Sequence, residues 1–347
     1  MLGLWLLVLL AVFLRIVRAP GKIAWRLLGG LWAIFLLAHL LAPAQAGQLI
    51  GGTAGGWLVL GGLAAMVWAY RIGLRRLRQS AAPAPTPPAP ASDSFSDAEL
   101  DRYARHIVLH EIGGPGQMAL RRARVLVIGA GGLGAPVCLY LAAAGVGRIT
   151  LADDDTVSLS NLQRQVIFRD DLRGEPKAYA AAEAMLRLNP QIDVTPLLRR
   201  ITADDAALIG QHDLVIDGTD SFAGRAAINR ACVAAGVPLL SGAIGRWEGQ
   251  LTLYDPARGA PCMACIFPEA PERDAPCAEA GVVGALPGVV GSLMALEAIK
   301  HLTGAGESLR GRMVLFDGLS LEMRSFTAGR APGCPVCGGL AEGAAHA

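Results

Sequence analysis

Several residues in this chain of 347 have types and spacings that could do chemistry on a phosphate. Gly129, Gly131 and Gly134 stand in GxGxxG register inside RVLVIGAGGLGAPVCLYLAAAG. Glycines there let the backbone approach a phosphate, and the N-terminus of the following helix favours its charge. Asp153 lies about 20 residues further on, the place from which an acid can hydrogen-bond a ribose hydroxyl. NAD, FAD and ATP all fit this much. The next residues separate them, because one pyrophosphate is neutralised mostly by backbone amides, whereas splitting a triphosphate needs fixed cations and a metal-holding acid. Asn161 and Arg164 in SNLQRQ, Lys177 after Pro176, and Asp217 and Asp220 in LVIDGTD supply such a set, which points to ATP. Taken singly, each has a plainer reading: Asn161 as a helix cap, Lys177 as a solvated first-turn residue, Asp220 as a turn former.

The seven cysteines sort by spacing. Cys262-Met-Ala-Cys265 and Cys334-Pro-Val-Cys337 make two pairs, each spaced to share one metal, and four thiolates are the usual closed set of a structural zinc site. Zinc there would staple the C-terminal tail to the domain upstream and leave no open position for catalysis. Cys138 and Cys232 fall in apolar helical segments and read as small buried hydrophobes. Cys277 lies in the small-residue segment APCAEAGVVGALPG, where a thiol could attack an acyl-adenylate or accept persulfide sulfur.

These groups need elements to position them. Ser96 and Glu99 have capping-box spacing ahead of a helix predicted over 97–110, which carries Arg105. Buried runs followed by glycine turns and helices predict a Rossmann-like, doubly wound, mostly parallel α/β sheet with a zinc-stapled C-terminal portion. In front of it, 53% hydrophobic content and a mean hydropathy of +0.42 are concentrated in three apolar runs, 2–17, about 23–42 and 48–70. The last is long enough to cross a bilayer at roughly 20 residues per span; the first is marginal, so two or three transmembrane helices are expected. Arg15, Arg18, Lys22 and Arg26 lie between the first two runs and Arg71, Arg75, Arg76 and Arg78 follow the third, while 43–48 carries no charge. The positive-inside rule then puts both basic clusters and the rest of the chain in the cytoplasm. Ala44-Gln45-Ala46 offers a signal-peptide reading, opposed by the uncleaved apolar run that follows. Residues 79–96, QSAAPAPTPPAPASDSFS, read as a semi-rigid tether. The expected organisation is an anchor over 1–78, a linker over 79–96 and an ATP-binding domain over 97–340. Net charge of +2 is uninformative about nucleic acid, because the basic residues that cluster are the juxtamembrane ones; no nucleic-acid partner is expected.

In their order along residues 96 to 339, GAGGLG, DDDTVSLSNLQRQ, the Lys after Gly-x-Pro, DxTD, RWEGQ and the two Cys pairs resemble the MoeB/ThiF/HesA family, relatives of ubiquitin-activating enzymes. The resemblance implies ATP-dependent adenylation of the C-terminal glycine of a small ubiquitin-like sulfur carrier ending in Gly-Gly, of molybdopterin or thiamine type. It implies that Gly132 and its neighbours line the phosphates, Asp153 holds the ribose, and Asn161, Arg164 and Lys177 contact the triphosphate. Asp220 would bind Mg²⁺, Arg105 would reach into the partner site of a homodimer, and Cys277 matches the thiol of sulfur-transferring members. Ser221 departs from the pattern, which usually has Asn there, and puts one contact to the nucleotide or metal shell in doubt. A separate protein would donate the sulfur, and the bacterial inner membrane is the expected location. Three rivals remain. A relative that cyclises tRNA threonylcarbamoyladenosine often has Ser after the acid but typically lacks the Cys pairs. An NAD-dependent oxidoreductase leaves SNLQRQ, Lys177 and Asp220 without a task. An inactive membrane scaffold would have no reason to keep the phosphate-site residues.

Overall fold

The computed structural model describes residues 2–16, 21–80, 94–269 and 281–340. The chain divides into two compact units, Met1–Ala82 and Pro83–Ala347. The linker expected over 79–96 lies mostly outside the described residues, as does Cys277.

The first unit is helical: α1 (Leu2–Ile16), α2 (Gly21–Leu41), α3 (Pro43–Leu49) and α4 (Ala54–Ser80). α2 packs on α4 as a hairpin, with the Trp32 indole donating to Trp57 O at 2.9 Å and the Phe35 and Trp57 rings 5.3 Å apart. Gly61 permits the approach, since a Cβ there would lie 2.2 Å from the Trp32 ring. The third apolar run differs from expectation. It is broken rather than one continuous helix from 48, because Gly51 and Gly52 both take φ of +86°, and α3 meets α4 at a bend of 67°. The uncharged connector 43–48 is itself mostly helix, begun by Pro43 in its first turn. Among the described residues, the one helix that alone is long and apolar enough to cross a membrane is Ala285–Thr303, a core helix of the other unit; α3 and α4 pass that test only as a bent pair.

The second unit opens with α5 (Asp97–Ile107), whose capping box is formed: Glu99 N donates to Ser96 Oγ and Ser96 N to the Glu99 carboxylate. α5 ends three residues before its predicted limit, and the chain turns through Gly113, at φ +60°, into α6 (Gly113–Arg122). Then come β1 (Arg124–Ile128), α7 (Gly134–Ala144), β2 (Arg148–Ala152), α8 (Lys177–Leu188), β3 (Asp193–Leu197), α9 (Ala206–Ile209), β4 (Leu214–Asp217), α10 (Phe222–Ala235), β5 (Leu239–Ile244), β6 (Glu248–Tyr254), α11 (Met263–Ile266), α12 (Ala285–Thr303), β7 (Arg312–Asp317) and β8 (Glu322–Thr327). They form one sheet of eight strands in the order β3-β2-β1-β4-β5-β6-β7-β8. The first five strands of that order are parallel, as expected, whereas β6, β7 and β8 extend the sheet antiparallel.

Both faces of the parallel half are buried, which is why its strands read as continuous apolar runs. Val125 and Val127 of β1 point into a core with α7, α8 and α12, while Leu126 and Ile128 point into one with α10 and α11. α12 is thus a covered core helix, packed through Leu286, Val290 and Met294. The strand order reverses between β1 and β4, so their C-terminal ends diverge and leave a crevice, the position where ligands bind in open α/β sheets.

Candidate active site

A cavity of about 390 Å³ opens at that crevice. Its floor is the turn after β1. Gly129 sits at φ +91°, with its Cα side facing Gly218 across the switch, and a Cβ on Gly132 would lie 2.9 Å from Pro287. A side chain at Gly129 would be strained at that φ, and one at Gly132 would clash with Pro287. Gly134 lies behind the wall: a Cβ there would lie 1.8 Å from Gly129 O, so this glycine lets α7 pack beneath the turn. It does not line the cavity itself.

Beyond β2, the Asp153 carboxylate is pinned by two backbone amides, Ala130 N at 2.7 Å and Asp155 N at 2.9 Å. Burial raises its pKa above the usual carboxylate range, while the Ala130 amide and Lys177 pull the other way. Fixed in this way at the cavity wall, it can accept hydrogen bonds from a diol. Lys177, at the start of α8, is 4% exposed and ion-paired to Asp155 at 2.9 Å. The solvated reading of this lysine is therefore overturned: the short loop 153–157 folds back and covers it. Asn161 ends a 3-10 turn, Leu159–Asn161, whose N-cap is Ser158 with no side-chain cap bond, so the cap reading fails as well.

On the opposite side the turn after β4 is held from two directions. Buried Asp217 accepts from Thr219 N (2.9 Å), Thr219 Oγ1 (2.7 Å) and Ser241 Oγ (3.2 Å), and Arg225 of α10 donates to Thr219 O through Nε (3.0 Å) and Nη2 (2.7 Å). Burial raises the Asp217 pKa against the pull of Arg225 and these hydroxyl bonds. The clamp presents Asp220, exposed, at the cavity wall. Ser221 caps α10 by accepting from Gly224 N at 3.1 Å, which gives the residue that departs from the expected Asn a structural task.

Gly129, Gly131, Gly132, Asp153, Asn161, Arg164, Lys177, Asp220 and Ser221 all line this one cavity. Arg105 is exposed on α5 and does not line the cavity of its own chain. The structure adds lining groups that sequence reasoning missed: Asp154, Asp155, Gln165, Arg199, Arg200 and Arg225. Arg200 pairs with Asp154 and Arg199 with Asp205. Among the described residues Arg164 and Arg225 make no ion pair with a carboxylate; Arg164 reaches only Ser160 O at 3.1 Å. Gln165 is buried with its Oε1 unpartnered. An arginine with no carboxylate partner, Arg164, further cations already fixed in place, a glycine cradle and a pinned acid suit a nucleoside polyphosphate, whose charge positioned cations balance with little reorganisation.

Comparison with known proteins agrees with this geometry. Residues 103–336 match the ThiF family. The chain belongs to that family. It is 48% identical over 245 residues to molybdopterin-synthase adenylyltransferase of Escherichia coli K12, covering 70% of this chain and 98% of that one. It is 45% identical over 248 residues to the sulfur carrier protein ThiS adenylyltransferase of the same organism, covering 71% and 98%. Among solved structures, E. coli MccB with ATP superposes with a TM-score of 0.61 at 26% identity, covering 68% of this chain and 74% of that one.

In this ThiF-family chain the second polar cluster is the cysteine set. Cys262 precedes α11, Cys265 lies within it, and Cys334 and Cys337 come from the loop after β8. Their four sulfurs lie within 4.8 Å of one another, with separations of 3.8, 3.7 and 3.4 Å. A tetrahedron of thiolates about 2.3 Å from zinc has edges of about 3.8 Å, so the donor set fits that ion. Cys138 and Cys232 are buried in α7 and α10 as expected, and burial pushes the Cys138 thiol up to about 12.

Proposed function

We propose that the second unit adenylates the C-terminal glycine carboxylate of a small ubiquitin-like sulfur carrier ending in Gly-Gly, with ATP bound at the strand switch. The activity is that of an adenylyltransferase. The observation that carries this is the gathering of the glycine turn, Asp153, Asn161, Arg164, Lys177 and Asp220 around one cavity, in a chain 48% identical to an enzyme named for this chemistry.

A carboxylate is a poor electrophile. Its oxygen attacks the α-phosphorus, the bond to the β-phosphate oxygen breaks, pyrophosphate leaves, and the acyl-adenylate has AMP as the leaving group the carboxylate lacked. The glycine turn and the N-terminus of α7 cradle phosphate oxygens. Asp153 accepts from the ribose hydroxyls and fixes the nucleoside. Arg164 and Lys177 balance charge that develops on the phosphoryl group and pyrophosphate, and Asn161 orients them by hydrogen bonding. Asp220 would hold Mg²⁺, which supplies further neutralisation when bound.

Several finer readings accompany this. The carrier is of molybdopterin or thiamine type, both represented among the relatives. The enzyme works as a homodimer in which Arg105 completes the partner's site. Cys277 lies outside the described residues and is assigned the sulfur-transfer role by resemblance. The first unit anchors the enzyme in a membrane with the catalytic unit in the cytoplasm. This reading rests on the charge asymmetry between the basic ends and the uncharged 43–48.

The deciding assay is Mg²⁺-dependent exchange of labelled pyrophosphate into ATP by the full-length protein, with a carrier of each type in turn. Exchange should require a carrier ending in Gly-Gly. Exchange without any carrier, or tight NAD binding in its place, would overturn the assignment.

A further inference from the structure

We infer that α1, α2 and α4 are three membrane spans packed as one bundle whose outward surface takes a lipid bilayer, with the Leu2 end of α1 and α3 on the side away from the basic clusters. This rests on the membrane reading above and goes beyond it in span number and in the sidedness of α1.

The first observation is that the unit is apolar on the outside. Leu9 and Phe13 of α1, Ile34 and Leu37 of α2, and Val59 and Met66 of α4 are between 55% and 67% exposed, as apolar as the buried Leu14, Phe35 and Trp57 that they surround. His39 is the most polar side chain there, yet it is 3% exposed, with Nδ1 donating to Phe35 O at 2.8 Å and its ring 6.1 Å from that of Trp57. A water-soluble bundle shares the apolar interior but carries polar side chains outside, since a continuous apolar exterior is costly in water and free in hydrocarbon. From Leu27 to Tyr70 the sequence has no Asp, Glu, Lys or Arg. Trp25 and Trp68 are exposed at the basic ends of α2 and α4, the depth at which Trp sits in an interface.

The second observation fixes α1. Gly3 N donates to Ile50 O at 2.9 Å, and a Cβ on Gly3 would lie 2.4 Å from Ile50 Cγ2 and 3.0 Å from the Trp57 ring. Ile50 lies at the closed, uncharged end of the α2–α4 hairpin. The opposite end of α1 is Ile16, five residues before α2 begins at Gly21 among Arg15, Arg18, Lys22 and Arg26. α1 therefore traverses the same thickness as α2, in the opposite direction. A helix lying in the interface plane at the basic side could not reach Ile50. Its 15 residues span about 22 Å, short of a hydrocarbon core of about 30 Å, a mismatch that local thinning of the bilayer accommodates. With the basic clusters inside, the Leu2 end and α3 face outward.

The test is single-cysteine accessibility in the full chain, read with a membrane-impermeant maleimide on spheroplasts before and after lysis. The wild type, whose own cysteines follow the anchor, gives the baseline. Leu2→Cys and Gln48→Cys should label in intact spheroplasts, and Ser92→Cys only after lysis, in protein that pellets with membranes and retains pyrophosphate exchange. Gln48→Cys labelled with Leu2→Cys protected would overturn the third span while leaving a two-span anchor. Labelling of Ser92→Cys or of the wild type in intact spheroplasts would overturn the sidedness. Recovery of all variants in the soluble fraction would sink the anchor itself.

Discussion

The nucleotide cavity and the four-cysteine cluster are both assembled from residues distant in sequence, yet only the cavity keeps polar groups without a partner among its paired ones. The cysteine sulfurs face one another, and the loop that carries two of them is closed by Gly338 N on Cys334 O and by Arg330 on the carbonyls of Cys337 and Leu340. Among the described residues the four sulfurs form one closed set. In the cavity Arg164 and Arg225 reach only backbone carbonyls, Gln165 keeps a buried, unpartnered Oε1, and Asp220 stands exposed. The closed sulfur set suits a structural role, whereas Arg164 without a carboxylate and the unpartnered Gln165 Oε1 leave the cavity groups that a ligand can satisfy. Breaking the first should unfold the unit, and breaking the second should leave a folded, inactive one.

The largest effect expected is on the cysteine cluster. Structural zinc sites in small domains contribute on the order of 10 kcal/mol, comparable with the whole stability of a typical domain at about 5–15 kcal/mol. The Cys334→Ser, Cys337→Ser double variant, or the wild type held with a strong chelator, should lose its cooperative thermal transition, with exchange activity falling in step. A double variant that melts within a degree or two of wild type would show that the cluster staples nothing.

Next in size, Asp220→Ala and Arg164→Ala should each cut carrier-dependent exchange by at least about a hundredfold, roughly 2.7 kcal/mol in barrier, with the melting curve unchanged. A parallel loss of melting temperature would erase the contrast between the two clusters. Arg105→Ala should lose activity to a similar degree. If Arg105 serves the partner's cavity, mixing it with Asp220→Ala protein should restore part of the activity through dimers that hold one intact site. Absence of recovery, with mixed dimers shown to form, would return Arg105 to the surface of α5.

How far the sequence revealed these clusters depends on where each residue lies along an element. Gly129, Asp153 and Asp220 follow buried apolar runs, and Lys177 begins a helix after Pro176, so each carries a local mark. Arg199 and Arg200 do not. They follow β3, whose DVTPL contains Pro196, and they meet the cavity only because β3 pairs with β2, a matter of strand order that no local pattern states. Arg225 reads as helix surface until the turn after β4 folds back onto its guanidinium. The antiparallel extension was equally hidden: β8, EMRSFT, is exposed at every position, so no period-2 burial distinguishes it from a loop, and β6 appears only as the motif RWEGQ.

The smallest effect expected is a pH-dependent one, and it probes a third polar cluster of the closed kind. His212 is buried beneath the sheet, its Nδ1 donating to Leu208 O at 3.0 Å and its Nε2 accepting from Thr150 Oγ1 at 2.8 Å. Burial lowers its pKa below the ordinary histidine value of 6.5; the Leu208 carbonyl and nearby Asp213 oppose that shift, and Arg124 reinforces it. The folded state therefore binds the proton less readily than the unfolded one. Stability is fully present above about 6.5, the unfolded value, and is lost as pH falls from there toward the folded value, because the unfolded chain gains the proton first. His301, whose pKa burial also lowers, adds a slope of the same sign. Melting temperature measured between pH 8 and pH 5 should fall on the acid side in the wild type and fall less steeply in His212→Gln, while exchange activity at pH 8 stays close to wild type. An unchanged slope would mean that His212 accepts its proton without cost. A large loss of activity at pH 8 would tie it to the cavity and blur the distinction between closed and open clusters.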